Sequence, residues 1–297
     1  MIEEMTQGGT TGMENQDSIQ VYYRMPGPAT DPGARRPLLE GLPTTVPELV
    51  AGLQQLMIHI FWARRYGVEL TPDREAEVQI RTAHQKLGRI GELDPRPLTE
   101  GRDPAQRLVG NCRDFSVMMV TLLKAQGVPA RARCGFGTYF TPGKYEDHWV
   151  IEYWNAAAQR WVMVDAQLDA LQQQVLQLDF NPFDMPPGKF VLAGQAWQMA
   201  RRGEVDPELF GIFEWHGMDF IRGNVLRDLL ALNRVEVLPW DFWGWLTEQP
   251  VAESSPEALG RIDRAAALTL GGDDCFEDLQ DFYQQHPEIH APAGWFD

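Results

Sequence analysis

The chain has 297 residues, 44% of them hydrophobic, and a formal net charge of −16 from 42 acidic against 26 basic residues. That length buries a large core and lies near the upper limit for one domain, so one domain with a long extension and two domains are both open. The acidic balance argues against nucleic acid and anionic membrane as partners, since both need a basic face. Met1 to Gln7 show no basic stretch followed by an apolar run, so no secretory signal is read there. No apolar stretch approaches the roughly 20 residues needed to cross a bilayer. Cys112, Cys134 and Cys275 have neither Cys-x-x-Cys spacing nor an even framework, so free thiols in a reducing cytoplasm are expected.

Residues 1–43 are rich in Gly, Pro, Thr and Asp and read as poorly ordered or draped over the surface. Helix is expected from Thr45-Val46-Pro47-Glu48, which has capping-box spacing, and on through Leu49, Leu53, Leu56, Met57, Ile60 and Phe61. A second helix is expected from Thr71-Pro72, with the stripe Ala76, Ile80, Ala83, Leu87 and Ile90. In a third, Asn111 is the N-cap and Asp114 lies three residues on. Phe115, Met118, Met119, Leu122 and Leu123 form its apolar face, and Gly127 ends it.

The period then changes to two. Ala132, Cys134 and Phe136 alternate with Arg131, Arg133 and Gly135, and two further strands are expected over 148–154 and 161–165. If Trp154 pairs with Trp161 across the polar loop between them, Asp165 falls opposite Val150. His148, two residues from Val150, then shares a face with Asp165 as its diagonal neighbour, about 7–8 Å away at Cα. A one-residue slip would separate them. Beyond Asp165 the chain is Gln-rich and then Pro-rich. Helices are expected over 189–202, 219–232 and 273–285, and the aromatic run Trp240, Phe242, Trp243, Trp245 reads as more buried than exposed.

Cys112 falls in the first turn of the third helix, where unpaired backbone N–H groups and the helix dipole favour an anion. Both lower a thiol pKa, and the same N–H groups stabilise an oxyanion. A thiol there, then His148, then Asp165 is a set of parts for covalent acyl chemistry, with Asp169 the substitute carboxylate. Arg113 is a candidate for a substrate carboxylate or for local carboxylate pairing, with a solvated charge the blander reading. Asn111 and Asp114 read as caps, and Cys134 as packing. His286 and His290 have the spacing of a zinc pair but no third ligand, so no metal is expected.

Gly110-Asn111-Cys112-Arg113-Asp114-Phe115, Gly127-Val128-Pro129-Ala130-Arg131, Asp147-His148-Trp149-Val150 and Trp161-Val162-Met163-Val164-Asp165 together resemble the transglutaminase-like superfamily of papain-fold cysteine enzymes. The resemblance covers roughly residues 45–170. It implies an α+β fold with a papain-like/transglutaminase-like core, the cysteine opening a helix packed on an antiparallel sheet, and leaves 171–297 as a largely helical extension packed on that core. It implies Cys112 as nucleophile, His148 as base and acid, and Asp165 as the orienting residue; Gln106, six residues before the cysteine where papain-like proteases place an oxyanion-hole glutamine, is by the same resemblance a candidate oxyanion contact. The chain is too short for the flanking β-domains and calcium loops of animal transglutaminases, so neither calcium nor protein crosslinking is implied, and no cofactor. The expected partner is a peptide, amide or thioester substrate, free or bound to a carrier protein. An amide-forming biosynthetic enzyme and a non-catalytic binding module with this fold are the alternatives.

Overall fold

The computed structural model describes residues 7–247 and 249–297, with side chains described from residue 16 onward. The first helix, α1 (Gln7–Arg24), corrects the expectation of a draped N-terminal segment. Ile19 and Tyr23 are buried, and the Tyr23 hydroxyl donates to the Leu232 carbonyl at 3.1 Å. Two apolar residues four apart put one helical stripe into the core, a signal that the surrounding Gly and Thr residues mask. Residues 1–6 lie outside the described residues.

Helix α2 (Val46–Leu56) starts at Thr45 as expected but gives way to strand β1 (Met57–His59). The helical reading through Phe61 is therefore corrected. Met57-Ile58-His59 is taken up by parallel pairing with β2 (Leu108–Gly110), Met57 opposite Leu108 and His59 opposite Gly110. The expected second helix is also broken. After α3 (Pro72–Glu75) and a 3-10 turn, α4 (Ala83–Leu93) begins afresh at Thr82. The Thr82 hydroxyl accepts from the Gln85 N–H and the Gln85 side chain accepts from the Thr82 N–H, both at 3.2 Å. This capping box lay unread inside a continuous apolar stripe.

Helix α5 (Cys112–Ala125) is capped by Asn111, whose side chain accepts from the Asp114 N–H at 3.1 Å while Asp114 returns the bond to the Asn111 N–H at 3.0 Å. Gly127, at φ +76°, turns the chain out of it. The chain then enters β3 (Ala130–Gly137), β4 (Tyr145–Asn155) and β5 (Arg160–Val164), an antiparallel run in which Trp154 pairs with Trp161 and Ile151 with Val164. Phe115, Met118, Met119 and Leu122 of α5 share one apolar cluster with Ala132, Cys134, Trp149, Ile151, Val162 and Val164. The helix lies wholly inside the protein, which is why its apolar residues exceed one stripe.

The rest of the chain wraps this core. After α6 (Ala170–Leu176), β6 (Phe190–Leu192) pairs with the end of β3, so the helix expected from residue 189 starts only at α7 (Ala193–Arg201). A hairpin of β7 (Phe210–Ile212) and β8 (Trp215–His216) joins the start of β4, and α8 (Met218–Leu232) follows, buried from Ile221 to Leu232. Helix α9 (Pro256–Leu270) was not foreseen, and α10 (Phe276–Gln285) begins slightly later than expected. Of the aromatic run, Trp245 is buried while Trp240 and Phe242 are exposed.

Candidate active site

The register of β4 and β5 decides the geometry. With Ile151 opposite Val164 the ladder ends, and Asp165 continues past it, level with Val150. His148 and Asp165 thus meet as the diagonal neighbours expected from the sequence, with Nε2 of the ring 2.8 Å from Asp165 Oδ2. Both side chains are buried. Asp165 is held by two further donors: the Tyr139 hydroxyl at 2.6 Å from Oδ2 and the Gln167 N–H at 3.0 Å from Oδ1. Phe140 sits edge-on to the His148 ring, centroids 4.8 Å apart. Neither aromatic was singled out in the sequence, because the loop carrying them has no periodicity.

Cys112 approaches from the other side. Its thiol lies beside His148, close enough for each group to shift the other's titration, and since Nε2 faces Asp165 it is Nδ1 that is left to the sulfur. The backbone N–H of Trp149 also points to the sulfur. That amide is free because of how β4 is paired. Its outer edge is covered by β7 at residues 145–146 and by β5 from 151 onward, leaving 147–150 unpaired. On the opposite edge, Cys134, the β3 partner of Trp149, turns its N–H outward to Asp228 Oδ1 at 2.8 Å. The two residues form a non-hydrogen-bonded pair, so both amides point away from the ladder.

Burial works against charge on the His148 ring, but the Asp165 carboxylate and the hydrogen bonds to Asp165 and Cys112 outweigh it and raise the pKa to about 10. Burial also pushes the Cys112 thiol up, opposed by the His148 hydrogen bond and the Trp149 amide. This corrects the expectation that the helix start leaves a lowered thiol pKa. At 8% exposure the loss of solvent outweighs those donors.

The other candidates fall elsewhere. Gln106 ends a 3-10 turn on the surface, on the far side of β2 from Cys112. Arg113 is fully buried and donates to the carbonyls of Arg81 and Glu236 and to Asp114 Oδ1 at 3.1 Å, so it clips α5 to two loops and makes the local carboxylate pairing rather than the solvated charge. Asp169 caps α6 and accepts from the Tyr66 hydroxyl at 2.5 Å. His290 is bonded to the Tyr283 carbonyl and His286 lies against Trp245 and Phe282.

Two elements of the extension reach the site. Asn224 of α8 donates to Asp147 Oδ1 at 2.7 Å, next to His148. Phe213, at the tip of the β7–β8 hairpin, packs edge-on against Phe61 at 5.1 Å. No curated protein and no solved structure matches the chain. Residues 62–166, a span that ends just past Asp165 and contains Cys112 and His148, match the family model of the transglutaminase-like superfamily.

Proposed function

We propose that the protein is a cysteine hydrolase or acyltransferase that acts on an amide or thioester through an acyl-enzyme on Cys112. The observation that carries this reading is the 2.8 Å hydrogen bond between His148 and Asp165, with the Cys112 thiol beside the same imidazole. A buried imidazolium held by a carboxylate stabilises a thiolate at its other nitrogen. The sulfur attacks the carbonyl carbon, a C–S bond forms, and the carbonyl electrons move to oxygen. On collapse the C–N or C–S bond to the leaving group breaks and His148 gives that group its proton. Water or an amine, deprotonated by His148, then displaces Cys112. Asp165 keeps the ring oriented and stabilises its protonated form between these transfers.

The extension forms the wall of this site in our reading. Phe213 and Trp215 are 70% and 64% exposed on the β7–β8 hairpin, and Phe61, against which Phe213 rests, is 57% exposed. A cavity of about 350 Å³ lies under that hairpin, bordered by Thr141, Lys144, Glu146, Glu208, Phe213 and His216 and by none of Cys112, His148 and Asp165, so it adjoins the site rather than holding the reacting carbonyl.

The test is iodoacetamide alkylation of Cys112 against pH, read by peptide mass spectrometry. Because burial raises the thiol, alkylation should be slow near neutral pH and rise on an alkaline limb. His148→Ala removes the cation beside the sulfur, so its rate at about pH 8 should drop at least ~10-fold. Against activated acyl substrates, Cys112→Ala should abolish turnover and Asp165→Asn should lower kcat by about 10³-fold or more. Alkylation indifferent to His148, together with no acylation of Cys112, would reject the reading.

A further inference from the structure

The site as described offers one fixed N–H at the Cys112 backbone for a developing oxyanion, and the sequence candidate for a second donor, Gln106, lies on the surface. His59 lies beside the site and outside the family-matched span. It ends β1, directly opposite Gly110, and β2 runs from Gly110 through Asn111 into Cys112. The side chains of β1 alternate: Ile58 turns into a separate small cluster, whereas Met57 joins the α5 core, and His59 shares Met57's face. There the ring stacks on Phe115, one turn along from Cys112, with centroids 6.4 Å apart.

The tautomer is fixed. The Phe61 N–H donates to Nδ1 at 3.2 Å, so in the neutral ring the proton sits on Nε2. No described residue accepts from Nε2, and Nε2 is not among the polar atoms sealed from solvent, so this N–H opens to accessible space although the residue as a whole is only 5% exposed. The ring stays neutral because burial, and then the positive charge of His148 close by, lower its pKa to about 3. A neutral imidazole is a donor that neither competes for the proton moved by His148 nor titrates across the working range.

We infer that the Nε2–H of His59 is the second donor of the oxyanion hole, acting with the Cys112 backbone N–H on the carbonyl oxygen of the substrate. This rests on Cys112 being the nucleophile, and the experiment separates the two. Alkylation by iodoacetamide displaces iodide and creates no oxyanion, whereas acetylation by p-nitrophenyl acetate passes through one. Both rates are measured at Cys112 in the full chain, the second from p-nitrophenolate release after subtraction of the Cys112→Ala rate. His59→Phe should slow acetylation about 100-fold and leave alkylation within about 2-fold. His59→Gln, which restores an N–H, should recover acetylation to within about 10-fold of the parent. Equal losses in both reactions would mean that His59 only supports the Cys112–His148 pair, and undiminished acetylation in His59→Phe would mean that it donates nothing; either overturns the inference. A parent protein that is not acetylated at Cys112 at all, and whose alkylation ignores His148, fails the acyl-enzyme reading itself.

Discussion

Asp165 Oδ2 accepts from both His148 and Tyr139, and the second bond has a cost for the first. A phenol donating to the carboxylate spreads its charge and weakens its pull on the imidazolium, but it also holds the carboxylate in one orientation. Tyr139→Phe should therefore raise the His148 pKa further while lowering kcat about 10-fold, visible as an alkylation profile shifted along pH with reduced turnover. His148 also links pH to stability. Its pKa rises from 6.5 to about 10 on folding, so its pairing stabilises the fold fully below about pH 6.5, and that contribution is lost as pH rises through about 10. In urea titrations the stability gap between the parent and His148→Gln should be widest near pH 6 and narrow towards pH 10.

At the level of elements, legibility followed the physics of each signal. Helix α5 could be read to the residue because Asn111, Asp114 and Gly127 act locally, and β4 and β5 because two tryptophans and a polar loop permit one sensible register. The β1 strand could not, since Met57-Ile58-His59 differs from a helix continuation only through its pairing with β2, fifty residues on. Strand β6 and the Tyr139–Phe140 loop depend in the same way on partners distant in sequence, and with them went the side chains that enclose His148. Thus the three groups placed in line by local rules were legible, and the groups around them were not. One consequence concerns Gly135, which lies opposite His148 and pairs with β6. A Cβ there would meet the Val191 carbonyl oxygen at 2.3 Å and the Phe190 ring at 2.9 Å. Gly135→Ala should cost about 1–3 kcal/mol or more by denaturant titration. It should also slow Cys112 alkylation, since Phe190 borders the His148 ring at 6.4 Å.

Across the whole molecule, core and extension are joined by buried charge. Arg133 is clamped between Asp228 of α8, at 3.0 and 2.9 Å, and Glu152 of β4, at 3.1 Å, while Arg131 bonds the same Glu152 oxygen at 2.7 Å. Burial alone would raise the Glu152 pKa, but the two guanidiniums hold it down at about 2. Its contribution is present above its ordinary value of 4.5 and is lost as pH falls through about 2. Glu152→Gln leaves two buried cations short of one counter-charge and should destabilise the protein at neutral pH by about 3–5 kcal/mol. The acid limb of its stability curve should be correspondingly flatter. An unchanged midpoint in urea would show that α8 is held by its apolar face alone.

The unpaired stretch of β4 has a use beyond chemistry. The Trp149 amide has no strand to shelter it, so its protection from solvent deuterium depends on the Cys112 sulfur in front of it. Once that sulfur carries an acyl or alkyl group it is a far poorer acceptor, and the amide is released. A single exchange rate, at one position of the sheet, would then register whether the nucleophile is loaded or free, without any need to know the substrate.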